Sequence, residues 1–85
     1  MALRISSSSD GSVTTVRVEG RLEVAGVQEL RGVCRGAADR LRLDLSGLQG
    51  ADPLGIETLR QLLSEGAESH GASAYIRQLM GQDAS

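Results

Sequence analysis

Phe and Trp are absent from this chain of 85 residues, and Tyr75 is its single aromatic residue. A core must therefore be built from aliphatic side chains, chiefly Leu and Val. The length supports one small domain that buries roughly 60–65% of the surface of its unfolded chain. One cysteine, Cys34, excludes an internal disulfide and fits a reduced cytosolic setting. Lysine is missing too: all nine basic residues are Arg, spread along a chain of net charge −2. A nucleic-acid groove calls for a concentrated basic stripe and aromatic stacking platforms, and neither is present. No apolar run approaches the ~20 residues of a membrane span, and the opening MALRISSSSDG has no apolar signal-peptide segment. No carboxylate pair or Cys/His set has metal-ligand spacing. His70 sits on a polar stretch with no Cys or Ser motif placed to partner it, so it reads as a solvated surface histidine. The expectation is a single cytoplasmic domain over residues 1–85, with a core of about 2–80, a frayed tail at 81–85, and no catalytic residue, cofactor or metal.

What is present is a change of period in the middle of the chain. Arg40 to Ser46, RLRLDLS, alternates apolar Leu41, Leu43 and Leu45 with polar neighbours, the pattern of a strand with one buried face. A loop carrying Gly47 and Gly50 follows. From Pro53 the apolar residues Ile56, Leu59, Leu62 and Leu63 have helical spacing. Asp52 before Pro53 is a strong start signal, an N-cap followed by proline in the first turn. Gly66 stands where a C-terminal glycine cap belongs, so the helix runs from Pro53 to about Ser64.

On the N-terminal side, residues 2–8 predict an edge strand with Leu3 and Ile5 in phase. Asp10-Gly11 is a hairpin signal, and residues 12–19 return antiparallel with Val16 and Val18 inward and Arg17 and Glu19 outward. Gly20 and Arg21 close that strand and Leu22 tucks under the sheet. A helix over residues 24–38 carries Val27, Leu30 and Cys34 on its apolar stripe, with Val33 and Ala37 beside them. Gln28, Glu29, Arg31 and Arg35 face water. Gly26, Gly32 and Gly36 each weaken that helix by up to ~1 kcal/mol relative to alanine, so packing must hold it. Cys34 lies on the stripe and reads as a small core hydrophobe.

Toward the C-terminus, residues 67–71 predict a short edge strand. Ser73 before AYIRQLM reads as the N-cap of a last helix with Ile76, Leu79 and Met80 inward and Gly81 as its end. The alternative extends a strand through residues 72–76; the i, i+3, i+4 spacing of the three apolar residues favours the helix.

A parallel strand covered by helices on both faces is a nearly continuous apolar run. Arg40, Arg42 and Asp44 instead leave one face of the central strand polar, with Asp44 placed to pair with Arg17 or Arg42. Both long helices are therefore expected on the other face. The predicted fold class is α/β: one small domain, a mixed four-stranded sheet, and the two main helices on one face.

At this point the residues resemble a known family. Gly20-Arg21-Leu22-Glu23 after a Val-rich strand, Glu29-Leu30 in a helix, LDLSGL, and then Ala51-Asp52-x-x-Gly55-Ile56 opening an apolar helix is the layout of STAS domains. These are the anti-sigma-factor antagonists and the cytoplasmic domains of sulfate transporters. The likeness covers roughly residues 13–80, including GASAYIRQLM. It implies a βα superhelix and a protein-binding regulatory role in signal transduction.

In the antagonists the motif reads Asp-Ser-Ser-Gly or Asp-Thr-Ser-Gly, and the hydroxyl residue before the glycine is phosphorylated by a partner kinase. Here those positions are Pro53 and Leu54, which cannot accept phosphate. Thr58, one turn further on, is the alternative phosphosite, although its hydroxyl is expected to bond its own backbone. The resemblance implies docking of a protein partner at Leu48, Gln49, Asp52, Pro53, Leu54, Gly55 and Thr58, with Gly55 opening the first turn to a close approach. The partner would be an anti-sigma factor or ATP-binding kinase-type domain. The alternative is a STAS subunit of an ABC-type lipid-transport complex bound to its ABC ATPase. A nucleotide or small ligand at Gly47 and Gly50 is a weaker third reading, since no Lys or Ser/Thr follows at phosphate-loop spacing. Weak edge strands leave a homodimer open. No nucleic acid or membrane insertion is expected.

Overall fold

A hairpin turn follows Asp10 as expected, through Gly11 at φ +65° and Ser12, in a computed structural model that describes residues 3–36 and 40–81. Expectations for Ala2, for Ala37 and the last turn of the first helix, and for the tail beyond Gly81 lie outside the described residues. The turn joins β1, Arg4–Asp10, to β2, Val13–Leu22. They pair antiparallel in unbroken register, Arg4 opposite Glu19 through Asp10 opposite Val13. Val16 and Val18 are fully buried and Arg17 between them is exposed, as the alternation predicts. β2 runs further than expected, through Gly20 and Arg21 to a fully buried Leu22, because Gly20 at φ +94° lets the ladder shift there.

Helix α1, Val24–Arg35, follows, with Val27 and Leu30 buried and Val33 and Cys34 half-buried. Burial pushes the Cys34 thiol pKa up, which suits a packing role. β3, Arg40–Asp44, lies parallel to the first half of β2.

The segment read as a glycine loop contains a strand instead. Asp44 Oδ1 accepts from the Ser46 backbone N–H at 3.0 Å and from its hydroxyl at 2.7 Å. Leu48 N–H then donates to Leu45 O, and Gly20 N–H to Gly47 O. This turn delivers β4, Leu48–Ala51, back onto β2, parallel to Gly20–Leu22 beyond the end of β3. Helix α2, Pro53–Ser64, comes next, within the expected bounds. Its C-terminus is a Schellman motif: Ala67 N–H reaches Leu62 O and Gly66 N–H reaches Leu63 O, with Gly66 at φ +113°. β5, Glu68–His70, pairs parallel with β3 as the far edge. Helix α3, Ala74–Leu79, is capped by Ser73 Oγ, which accepts from Ile76 N–H.

The sheet is therefore mixed and five-stranded, in order β1-β2-β3-β5 with β4 also on β2; β4 is the strand added to the four expected. Helices α1 and α2 pack against each other, and Leu22, Leu43, Leu45, Leu59 and Ile76 are fully buried in the core between helices and sheet. Arg17 and Asp44 meet at 4.0 Å on the opposite face. The last helix departs in one respect: Leu79 is exposed, and Ile76 and Met80 alone of its stripe enter the core. No helix among the described residues is long and apolar enough to cross a membrane.

Candidate docking surface at the two helix starts

Asp52 organises this end of the molecule. Its backbone N–H donates to Leu22 O at 3.0 Å, which ties the end of β4 to the end of β2. Its Oδ1 accepts from Gly55 N–H at 2.9 Å, the N-cap bond expected for α2. Its Oδ2 accepts from Val24 N–H at 3.0 Å, the first residue of α1. Glu23, at the N-cap position of α1, makes no side-chain capping bond. One carboxylate therefore satisfies an N–H at two helix starts, where first-turn N–H groups lack intrahelical partners and the helix dipole favours negative charge.

Gly55 is needed for a reason other than access. A Cβ there would lie 2.6 Å from Leu22 O and 3.0 Å from Leu22 Cγ. The first turn of α2 is pressed onto the end of β2, and the space before Gly55 is filled by this chain itself. The expected opening to a partner backbone is corrected accordingly.

The other residues singled out from sequence divide into two sets. Leu48 and Thr58 face inward, at 3% and 1% exposure, and Thr58 Oγ1 donates to Leu54 O at 2.9 Å. The hydroxyl is spent on its own helix, as expected, and its burial removes Thr58 from the surface both as a contact and as an accessible phosphoacceptor. Gln49, Pro53 and Leu54 are exposed, with Leu54 at 46%. Asp52 is half-buried beneath them.

Sequence reading missed Val24. It is 59% exposed and lines, with Leu54, Val27, Gln28, Arg31 and Arg35, a groove of about 530 Å³ between α1 and α2. Arg31 Nη2 donates to Gln61 Oε1 at 2.6 Å across the two helices. A signal did exist: residues 24, 28, 31 and 35 recur at i, i+4, i+7 and i+11, a second stripe on α1 beside the core stripe. His70 is exposed and 3.9 Å from Glu68 Oε1. Among the described residues no three His, Cys, Asp or Glu side chains could share a metal ion.

A mixed sheet carrying α1 and α2 side by side, with a capped helix start as its exposed junction, makes a small α/β domain whose fold is like that of STAS domains. Solved structures agree. The anti-sigma factor antagonist SpoIIAA in its unphosphorylated form matches with a TM-score of 0.71 at 15% identity, over 94% of this chain and 82% of that one. The antisigma-factor antagonist STAS domain from Rhodobacter sphaeroides matches with a TM-score of 0.56 at 28% identity, over 86% and 91%. An uncharacterized protein with a SpoIIAA-like fold from Shewanella loihica PV-4 gives 0.54 at 11% identity, over 89% and 71%. No protein-family model matches the sequence, and no curated protein matches it significantly.

Proposed function

We propose that this domain is a non-catalytic regulatory module of the anti-sigma-factor-antagonist type. It docks a protein partner on the surface formed by Gln49, Pro53, Leu54 and Val24 above Asp52, in the cytoplasm. The observation that carries the reading is the pair of large apolar side chains, Val24 and Leu54, held exposed at adjoining helix starts on a fold shared with two antagonist structures. Exposed apolar side chains set together at one place favour a contact role over a solvated one. The partner is an anti-sigma or ATP-binding kinase-type domain. Pro53 and Leu54 carry no hydroxyl, so binding does not depend on phosphate at those positions.

The test is affinity capture with wild-type and Leu54→Glu protein from an extract of the source organism, with captured proteins identified by mass spectrometry. A kinase-type ATP-binding domain held by wild type and lost from the variant is the expected result. Equal capture by both rejects this surface. An ABC-type ATPase held in its place moves the domain to a transport complex.

A further inference from the structure

The strand path β1-β2-β3-β5 ends in two unlike edges. β5 is three residues long, and Glu68 on it is engaged with Arg40 at 3.3 Å and with Arg42 at 4.0 Å. β1 is seven residues long and pairs with β2 in unbroken register with no bulge. It contains no Pro or Lys, and no described strand lies beyond it. Its outer row of N–H and C=O groups lacks the devices that commonly blunt an edge, and such a row is a template for another strand.

The side chains of β1 add a specific match. Its charged residues stand only at its two ends, Arg4 and Asp10, and neither is in an ion pair among the described residues. Residues directly opposite one another in an antiparallel pair share a face. Ile5 opposite Val18 and Ser7 opposite Val16 put the odd residues of β1 on the helix side. Arg4 and Asp10 therefore lie together on the other side.

We propose that β1 pairs antiparallel with β1 of a second copy of this chain, about a twofold axis through Ser7. In that register Arg4 stands opposite Asp10 of the second copy at one end, and Asp10 opposite Arg4 of the second copy at the other. Ile5 faces Ser9, and Ser6 faces Ser8. The contact is isologous, so each side supplies what the other needs, and two five-stranded sheets join into one. Sliding the strands by two residues in either sense sets each charge against a serine or beyond the end of the strand. A parallel arrangement in register sets Arg4 against Arg4. The charges thus select one register among those the backbone allows. One strand pair buries less than the about 1,600 Å² of a standard stable interface, so this is a weak, reversible dimer. It uses a surface separate from the helix starts and does not depend on the docking role proposed there.

Charge reversal tests the register without touching the core, since both side chains are exposed. Sedimentation velocity at rising concentration, low ionic strength and with reductant present reads the association directly. Wild type shows reversible monomer–dimer exchange. Arg4→Asp alone and Asp10→Arg alone each place like charges at both ends of the joint and raise Kd about tenfold or more. An equimolar mixture of the two variants associates again, because one chain then carries acids at both ends of the strand and the other carries bases. The double variant R4D/D10R recovers self-association for the same reason. A wild type that stays monomeric at the highest attainable concentration overturns the proposal. So does a single variant that dimerises as wild type does, or a mixture no tighter than either variant alone.

Discussion

The two main helices are the same length, twelve residues, and lie side by side, yet they are specified in different ways. α2 carries its instructions in its own sequence: Asp52 and Pro53 start it, Leu59 anchors it, and Gly66 stops it. α1 has almost none of these. Glu23 does not cap it, glycines stand at positions 26 and 32 within it, and its C-cap Gly36 has φ −84°. What begins α1 is a carboxylate from Asp52, 28 residues further along the chain. One helix is specified locally and the other is held by the fold. The proposed docking surface lies where the first supports the second.

The largest effect is expected where α2 meets β2. Gly55→Ala drives a Cβ to 2.6 Å from a backbone oxygen that cannot swing away, at a cost of about 2–3 kcal/mol in a urea or thermal unfolding experiment. Gly32 on α1 is the counterpart, with nothing within 4 Å of its Cβ position. Gly32→Ala there is expected to stabilise by up to ~1 kcal/mol through helix propensity. If both substitutions destabilise, the contrast between the helices is wrong.

Asp52 is the next test. Asp52→Ala removes two capping bonds at once and should cost about 2 kcal/mol, against about 1 kcal/mol for Ser73→Ala, which removes one. Asp52→Asn keeps one acceptor oxygen and should fall between. Amide hydrogen exchange gives the sharper readout: protection should fall in the first turns of both α1 and α2. Loss confined to α2 means that the bond to Val24 does not matter.

This contrast also explains what could be read in the sequence. The bounds of α2 and the cap of α3 were legible because their signals sit within a few residues of the helix they control. The hairpin, the inward valines and the short edge strand were legible by the same local logic. β4 was not. Its four residues include Gly50, and Gly47 precedes it, and side chains of β2 cover both: a Cβ at Gly50 would stand 3.3 Å from Arg21 Nη1, and one at Gly47 would stand 2.7 Å from Glu19 Cγ. A glycine covered by a neighbouring strand's side chain reads as a glycine in a loop. Leu79 was misplaced because spacing alone cannot show that a six-residue helix buries only Ile76 and, just past its end, Met80. At the site, Pro53 and Leu54 could be found by their position before Gly55. Val24 could not be joined to them, since the link is a tertiary hydrogen bond.

Asp44 offers the smallest and most local version of the comparison. Like Asp52 it accepts two hydrogen bonds, but both come from Ser46, two residues on. The Ser46 hydroxyl bond, then the backbone bond, hold its carboxyl pKa below the ordinary value of 3.8, with Arg17 and His70 adding minor attraction. A lowered carboxylate pKa stabilises the folded state fully above that ordinary value, and the contribution is lost as the pH falls from 3.8 through the lowered value. Ser46→Ala removes the 2.7 Å hydroxyl bond and leaves the 3.0 Å backbone bond. The Asp44 pKa should therefore rise toward 3.8 without reaching it, as read from an NMR titration of the side-chain carboxyl. Over the acid window just below 3.8 the variant should also lose less stability per pH unit than wild type. A third of the Asp44 side chain is open to solvent, which screens these interactions, so both changes are small. An unmoved Asp44 titration in Ser46→Ala would mean that the turn feeding β4 is set by its backbone bonds, with the side-chain pair contributing nothing.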